Sequence, residues 1–362
     1  MNTEIKIAIS WSRLPPYAAK LIAKAINISN QPVTIISSKP AALQAEVEQC
    51  VSQPIVWVDI NQDISWSDLK MDVPQIFFQS GWFSTTFTGL GSEVKRNGGK
   101  VICITDNCWK NTLRQWIGAL VFRLRYRNCF DAVWVPGKSG TQLMRFYGMP
   151  KNKIYQGLYS SDPQVFYSQK SIDKRGKKFI FVGQLIERKG IRLLIRAFSK
   201  FTQNYPEWKL HVIGNGVLVD ELLEAPNIVY EGFKAPKDVA KSLRNSRFLI
   251  LPSYEEHWGL VVHEAALSGC GLITSDTVGS YIDLVDENNG IVFKNNSVDS
   301  LYKAMMDAAS FEDEKLQLVQ TASQSKASEY SPFKWAETFI QIVSEFDSET
   351  IEKQEHKSIR LK

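Results

Sequence analysis

Residues 251–269 read LPSYEEHWGLVVHEAALSG, an apolar strand end followed by a loop and a helical pattern. Glu256 falls in the loop and Glu264 in the first turns of the helix, with seven residues between them. Both carboxylates can therefore face one ligand, and a carboxylate accepts hydrogen bonds from two hydroxyl groups at once. A glutamate early in a helix also has a purely electrostatic explanation, because it complements the helix dipole.

The start of this helix offers a second feature. Backbone N–H groups at Gly259, Leu260 and Val261 lack partners within the helix and suit a diphosphate. His257 and Trp258 come just before them, and His257 is the histidine that we expect to contact a ligand. We expect the other two histidines of this half to be structural, His263 within the helix and His211 in a strand core.

Short apolar runs alternate with helical patterns on both sides of this stretch. Strands are predicted in the first half at 5–10, 33–37, 55–58, 76–79, 101–105 and 132–135, with a helix at 15–26. Strands are predicted in the second half at 179–182, 210–213, 228–230, 248–251, 272–274 and 291–293, with helices at 191–201 and 239–245. This alternation predicts an α/β fold with two Rossmann-like domains that face a cleft, and places the chemistry in loops after strands.

A chain of 362 residues fits two domains, which we place at 1–165 and 166–330. A helical pattern at 333–346 is predicted to return to the first domain, and the charged tail after it to be disordered. The composition is that of a globular protein, with 44% apolar and 22% charged residues. The net charge of +5 is mild, and we expect no nucleic-acid partner.

The five cysteines are scattered without a CxxC pair, so neither disulfides nor a zinc site are expected. The chain starts MNTEIKIAISW, without the pattern of a signal peptide, and no apolar run is long enough to span a bilayer. We therefore expect a cytoplasmic protein.

The order of motifs resembles the retaining family-4 glycosyltransferases, which have the GT-B fold and the frame P-S-x-x-E-x-F-G-L-x-x-x-E-A. The matching residues are Pro252, Ser253, Glu256, Trp258 in place of Phe, Gly259, Leu260, Glu264 and Ala265. The resemblance is firm over residues 178–293. It implies that Glu256 lies near the donor sugar, that Glu264 binds the ribose, and that catalysis needs neither metal nor cofactor; no DxD motif stands out. It also makes 166–330 the nucleotide-sugar domain and 1–165 the acceptor domain.

Residues 179–190, FIFVGQLIERKG, resemble the family pattern V-G-R-L…K-G. The resemblance implies that Lys189 binds the donor phosphates and that the backbone at Gly183 approaches them closely. Gln184 stands where the family often has Arg, which removes one expected charge, and Arg188 is the candidate to compensate.

Three further turns resemble the family. Gly214 begins the G-N-G turn that matches the family's I-G-x-G pattern. Gly232 and Phe233 stand where family members place backbone against the nucleotide base. The family's G-G-x-x-E is not kept literally, and Gly279 and Asp283 are its nearest counterparts.

The first half departs further from the family. The loop WSRLPPYAA at 11–19 has no glycine where family members carry two. Arg13 and Tyr17 are candidates to contact an acceptor or a donor phosphate; a rigid loop held by Pro15 and Pro16 is the equal alternative.

Residues 105–110 occupy the loop where many members have a histidine, and none stands here. Asp106 or Asn107 is predicted to occupy that place, contacting the donor sugar or accepting a proton, and Asp106 is the candidate that we assign to catalysis. Asn107 and Lys110 are further candidates for acceptor contacts.

Residues 109–127 read WKNTLRQWIGALVFRLRYR, an apolar stripe at helical spacing with five basic residues. We expect the stripe to pack in the core. An anionic membrane surface is the alternative.

The sequence therefore predicts a retaining enzyme that moves a hexose-type sugar from a nucleotide-sugar donor, UDP rather than GDP, to a hydroxyl of a glycan or lipid-linked oligosaccharide in surface polysaccharide biosynthesis. Two rival hypotheses remain at this stage. One is a GT-B module that binds a nucleotide sugar without transferring it, and the other is a structural membrane-associated protein.

Overall fold

The computed structural model describes residues 5–39 and 44–359. The chain divides into two compact units, Met1–Ser160 with Pro332–Lys362, and Ser161–Ser331. The boundaries thus fall at 160/161 and 331/332, against the expected 165/166 and 330/331.

The first unit is built on a seven-stranded sheet in the order β3-β2-β1-β4-β5-β6-β7, with every pair parallel. Its strands are β1 Ile7–Trp11, β2 Val33–Ser37, β3 Ile55–Trp57, β4 Ile76–Ser80, β5 Lys100–Ile104, β6 Ala132–Trp134 and β7 Ile154–Tyr155. The sequence pattern missed β7, because a two-residue strand is too short to show any periodicity. The other six strands of this unit were predicted.

Helices cover both faces of this sheet, which explains why the central strands are buried along their length. The helices are α1 Pro16–Ser29, α2 Gln44–Cys50, α3 Thr85–Arg96, α4 Leu113–Val121 and α5 Lys138–Phe146. The first helix begins at Pro16, whose fixed φ and missing N–H suit a first helical position. A π-helical turn, Phe122–Tyr126, continues α4.

The second unit has a six-stranded parallel sheet in the order β10-β9-β8-β11-β12-β13. Its strands are β8 Lys178–Val182, β9 Lys209–Ile213, β10 Ile228–Tyr230, β11 Phe248–Leu251, β12 Gly271–Ser275 and β13 Gly290–Phe293, all six predicted. Its helices are α6 Pro163–Phe166, α7 Ile191–Thr202, α8 Val219–Leu223, α9 Pro236–Leu243, α10 Leu260–Leu267, α11 Tyr281–Leu284, α12 Val298–Ala309 and α13 Asp313–Ser328.

The last helix, α14 Pro332–Ile359, returns to the first unit as predicted. Trp335 and Trp134 are both buried with their ring centroids 4.7 Å apart, and the Trp335 indole donates to the Leu158 carbonyl at 2.9 Å. Phe339 stacks on Phe78 at 4.8 Å. The prediction that the charged tail is disordered is wrong as far as Ile359, where the helix ends. Residues 360–362 lie outside the described part of the chain.

The expectation for residues 109–127 is also wrong. Ala119 and Phe122 are buried, but the predicted stripe is on the surface. Its exposed members are Leu113, Trp116, Ile117, Leu120, Val121 and Leu124. Periodicity defines an apolar face without showing whether another element covers it, and here none of the described residues does.

Truncating Trp335 to Ala should lower the free energy of unfolding by about 3–5 kcal/mol, because it leaves a cavity among large rings. Phe333→Ala in the same helix is the matched control, since Phe333 is 53% exposed and its loss should cost about 0.5 kcal/mol or less. Urea unfolding of both variants measures the difference. Equal stabilities would show that α14 does not complete the core of the first unit.

Candidate functional site

Two loops of the second unit pack backbone against backbone at the carboxyl ends of neighbouring strands. Gly190 begins α7 with a positive φ of 70°, and a Cβ there would lie 2.0 Å from the Pro252 carbonyl oxygen. The Tyr254 N–H donates to the Arg188 carbonyl at 2.9 Å. The loop after β8 is thereby fixed on the loop after β11.

This contact brings Lys189 and Glu256 together. The sequence analysis assigned these two residues to the same ligand on the basis of separate motifs. The Lys189 ammonium donates to the Glu256 carboxylate in an ion pair whose side chains are only 14% and 12% exposed. The Ser253 hydroxyl donates to the same carboxylate oxygen at 3.4 Å. A partly desolvated cation beside a carboxylate and a helix start is suited to a phosphorylated ligand.

Arg188 contacts the protein backbone in this structure. Its guanidinium donates to the Glu255 carbonyl at 2.7 Å, so it braces the loop after β11. Gln184 is exposed in the loop after β8. Lys189 is therefore the residue of this motif whose charge reaches Glu256.

A third loop, after β12, joins the first two. Gly279 donates its N–H to the Glu256 carbonyl at 3.0 Å, and Ser280 to the Trp258 carbonyl at 3.1 Å. The Thr277 hydroxyl donates to the Ser253 carbonyl at 2.7 Å. The turn at Gly279 and Ser280 is thus held against the glutamate loop.

The start of α10 carries unsatisfied polarity. Gly259 has a φ of 83°, a left-handed conformation that favours glycine, and among the described residues no side chain caps the helix. The Trp258 indole N–H and the Ser280 hydroxyl are buried and have no hydrogen-bond partner within the described part of the chain. Buried donors are normally paired, so these atoms favour a ligand at this place.

Glu264 lies in the second turn of α10 and is partly buried. Burial raises the pKa of its carboxyl to about 7. The group thus ionises near neutral pH, where it can accept hydrogen bonds from hydroxyl groups of a ligand.

The glycines predicted to lie against the donor meet at the ends of β8, β9 and β10. A Cβ on Gly214 would lie 1.8 Å from the Gly183 carbonyl oxygen, and its φ of 136° favours glycine. The Gly214 N–H donates to the Gly232 carbonyl at 2.9 Å. Phe233 beside them is 71% exposed, so its ring is open to a ligand.

The histidines differ in role. His263 is buried and structural, as predicted: its Nδ1 accepts from the Ser161 N–H at 3.1 Å, its Nε2 contacts the Ala327 carbonyl at 2.9 Å, and burial lowers its pKa to about 4. The prediction that His211 lies in the core is wrong, since its partly buried ring pairs with Glu231. His257 lies beside Glu255, with 3.8 Å between Nε2 and the carboxylate.

In the first unit, Asp106 and Tyr17 are linked through a residue that the sequence did not single out. The Tyr159 hydroxyl donates to the Asp106 carboxylate at 3.1 Å, and the Tyr17 ring lies edge-on to Tyr159 with centroids 5.9 Å apart. Burial, with Tyr17 and Asp106 nearby, raises the pKa of Tyr159 well above its ordinary value. Tyr159 therefore stays protonated and keeps its donor on Asp106. No sequence pattern indicated Tyr159, because the short strand β7 just before it was not predicted either.

The other acceptor candidates lie in two loops. Arg13 is exposed with a φ of 53°, a left-handed conformation that favours glycine, and its N–H donates to the Ser38 hydroxyl at 3.0 Å. The Asn107 amide donates to the Thr105 hydroxyl at 3.1 Å. The Lys110 N–H donates to Gln115 Oε1 at 2.8 Å. Strain at a non-glycine residue is more frequent at functional sites.

Within residues 5–39 and 44–359, no group of three or more His, Cys, Asp or Glu side chains is placed to hold a metal ion. In the same residues no helix combines the length and apolarity needed to cross a bilayer.

Replacing Glu264 with Gln should remove a pH dependence of stability. The folded protein binds this proton more tightly than the unfolded chain, so the contribution is complete below pH 4.5 and lost as the pH rises through about 7. Relative to wild type, Glu264→Gln should therefore gain on the order of 3 kcal/mol in unfolding free energy between about pH 4 and pH 8. His263 acts in the opposite direction in both proteins, and its effect cancels in the difference.

Urea unfolding across this pH range measures that difference. Glu224→Gln, at an exposed glutamate of the same unit, serves as the control and should run parallel to wild type. A constant difference between Glu264→Gln and wild type would contradict the raised pKa.

Comparison with known proteins bears on the second unit first. Residues 165–325 match the model of the family described as Glycosyl transferases group 1. A D-inositol 3-phosphate glycosyltransferase of Corynebacterium kroppenstedtii is 25% identical over 190 residues, which are 49% of this chain and 41% of that protein. An uncharacterized glycosyltransferase of Methanocaldococcus jannaschii is 26% identical over 205 residues, 51% of this chain and 52% of that protein. The alignments thus span about half or less of these relatives.

Solved structures resemble nearly the whole chain. A glycosyltransferase from Rickettsia africae has a TM-score of 0.76 at 14% identity, covering 95% of this chain and 99% of its own. Anabaena HepE in complex with UDP has a TM-score of 0.75 at 14% identity, covering 94% and 100%. These likenesses show the fold. The chain has the GT-B fold, and its residues 165–325 are similar to the glycosyl transferases of group 1.

Proposed function

We propose that this protein is a retaining glycosyltransferase of family 4, which moves a hexose-type sugar from a nucleotide sugar to a hydroxyl of a glycan or lipid-linked oligosaccharide. The observation that carries the proposal is the Lys189–Glu256 pair, held beside the uncapped start of α10. The frame of motifs around it and the glycosyltransferase names of the relatives support the same activity.

The reaction forms a bond between the acceptor oxygen and the anomeric carbon of the sugar, and breaks the bond from that carbon to the donor phosphate oxygen. The nucleoside diphosphate leaves with the electron pair of the broken bond, and the acceptor hydroxyl gives up its proton. Negative charge therefore grows on the diphosphate. Lys189 and the N–H groups at Gly259, Leu260 and Val261 are suited to stabilise that charge.

We assign separate roles to the acidic residues. Glu256, already paired with Lys189, contacts the sugar and sets the lysine's position when the diphosphate arrives. Glu264, with its pKa raised to about 7, accepts hydrogen bonds from the ribose hydroxyls. Asp106, held by Tyr159, serves the acceptor and takes up its proton.

We propose a UDP-sugar as the donor. The Anabaena neighbour of the same fold was solved with UDP and glucose, which supports this choice of base without extending to the sugar. We place the enzyme in the cytoplasm, peripherally on the inner face of the membrane, in the synthesis of a surface polysaccharide. A glycan that grows on a lipid carrier would supply such an acceptor.

UDP should raise the melting temperature of the protein and GDP should not. At roughly 100 times its dissociation constant, UDP contributes about 2.7 kcal/mol of stability. Lys189→Gln should weaken the shift at a fixed UDP concentration, because the diphosphate loses its cation; Lys237→Gln, at an exposed lysine of the same unit, should not. Differential scanning fluorimetry measures all three proteins. The absence of a shift with every nucleotide would argue against the donor site itself.

Glu256→Gln should lower sugar release from UDP-glucose, or its transfer, by about 100-fold or more, because an interaction at the reacting centre is lost. The control is Glu255→Gln, which changes the adjacent exposed glutamate and keeps the backbone carbonyl that Arg188 uses. UDP release measures turnover, and NMR of the new linkage should show the donor's anomeric configuration. UDP binding without turnover on any donor would favour the non-catalytic module instead.

A further inference from the structure

The surface of the first unit carries a continuous apolar face on α4 and the π-helical turn after it. Six large side chains there are between 45% and 80% exposed: Leu113, Trp116, Ile117, Leu120, Val121 and Leu124. Soluble monomers rarely leave a set of this size uncovered. On a helix of 3.6 residues per turn, the five members within α4 fall on one side.

The helix is anchored mainly along its opposite side. Ala119 and Phe122 are buried, and the Trp116 ring also touches Phe146, with centroids 4.8 Å apart. The π-helical turn closes with the Arg127 N–H donating to the Phe122 carbonyl at 2.8 Å. It keeps Phe122 in the core while Leu124, 80% exposed, stays on the outer face. The apolar face is therefore exposed although the other side of the helix packs in the core.

A second segment extends the face. Phe83, in the turn after β4, is 79% exposed. Its neighbour Trp82 packs against Phe122 at 5.2 Å and Tyr126 at 6.5 Å between ring centroids, so the turn that carries Phe83 lies against the π-helical turn. No sequence pattern indicated Phe83, because one aromatic residue in a turn has no periodicity.

The charges around this face have one sign. Residues 107–130 contain no Asp or Glu, and the basic residues are Lys110, Arg114, Arg123, Arg125 and Arg127. Arg114, Arg123 and Arg125 are exposed. An apolar helix face bordered by arginines complements an anionic lipid surface, where aliphatic and aromatic side chains enter the acyl boundary and guanidinium groups meet phosphates.

We propose that this face, α4 with the π-helical turn and Phe83, docks on an anionic lipid bilayer and aligns the Asp106 loop with its surface. The inference specifies the partner of the proposed glycosyltransferase and rests on that function only for the role of Asp106. Gln115 of α4 ties the two parts: its amide donates to the Cys108 carbonyl at 2.7 Å, and its oxygen accepts from the Lys110 N–H. A docked α4 therefore holds residues 106–110 close to the lipid headgroups.

The test is sedimentation of the full chain with phosphatidylcholine vesicles, with and without phosphatidylglycerol. Wild type should sediment only with the anionic vesicles, and less at high salt. Leu120→Glu should weaken binding at least about tenfold, because a charge replaces an inserted side chain. Leu318→Glu is the matched control, since both leucines are 60% exposed, and it should bind as wild type does. Phe83→Glu should weaken binding as Leu120→Glu does, and Arg125→Gln about fivefold.

Wild type that stays in the supernatant with anionic vesicles, or Leu120→Glu that binds as well as wild type, would overturn the proposal. A dimer in sedimentation velocity that Leu120→Glu dissociates, with no vesicle binding, would instead assign the face to a second copy of this chain. UDP-dependent stabilisation of Leu120→Glu separates the membrane-docking proposal from the proposed glycosyltransferase function. A shift equal to that of wild type shows that the donor site is intact whatever the vesicle result.

Discussion

The close approach of Gly190 to the Pro252 carbonyl is the constraint on which the candidate site depends. Only a residue without Cβ fits at the N-cap of α7, because the carbonyl oxygen occupies the place that a Cβ would need. That contact sets the distance between two loops that are far apart in the chain. Gly190 and Pro252 are separated by 62 positions, and Lys189 and Glu256 by 67. The ion pair and the brace from Arg188 depend on this contact, and the turn at Gly279 packs on the same loop after β11.

The two glutamates of the frame differ in their surroundings. Glu256 is neutralised by Lys189 and bonded by Ser253, so its charge is compensated before any ligand arrives. The pKa of Glu264 is raised by burial, and no charged partner among the described residues contributes to that shift. A ligand that donates hydroxyl hydrogens would favour the ionised form of Glu264, whereas a diphosphate would compete with Glu256 for Lys189. In the proposed function, this pair of similar side chains would therefore respond to different parts of the same ligand.

Much of the second unit could be predicted from the sequence, because its central strands β8, β11 and β12 are largely buried and its motifs lie at strand ends. Parallel strands bring those ends to one edge of the sheet, so the meeting of Lys189 and Glu256 followed from topology. Three features could not be predicted. The contact of Arg188 is with a backbone carbonyl, which no side-chain pattern shows. Tyr159 reaches Asp106 from 53 residues away. Whether the apolar face of α4 is buried or exposed depends on elements distant in sequence.

The return of α14 to the first unit affects how the chain can fold during synthesis. The first unit contains the amino-terminal 160 residues, yet Trp335 and Phe339 fill its core from the last helix. The second unit, Ser161–Ser331, is complete before that helix is made. Since domains fold as units while the ribosome adds residues in order, the second unit can finish folding while the first still exposes Trp134 and Phe78. The amino-terminal unit is thus the last to close, and it needs the longest protection from aggregation.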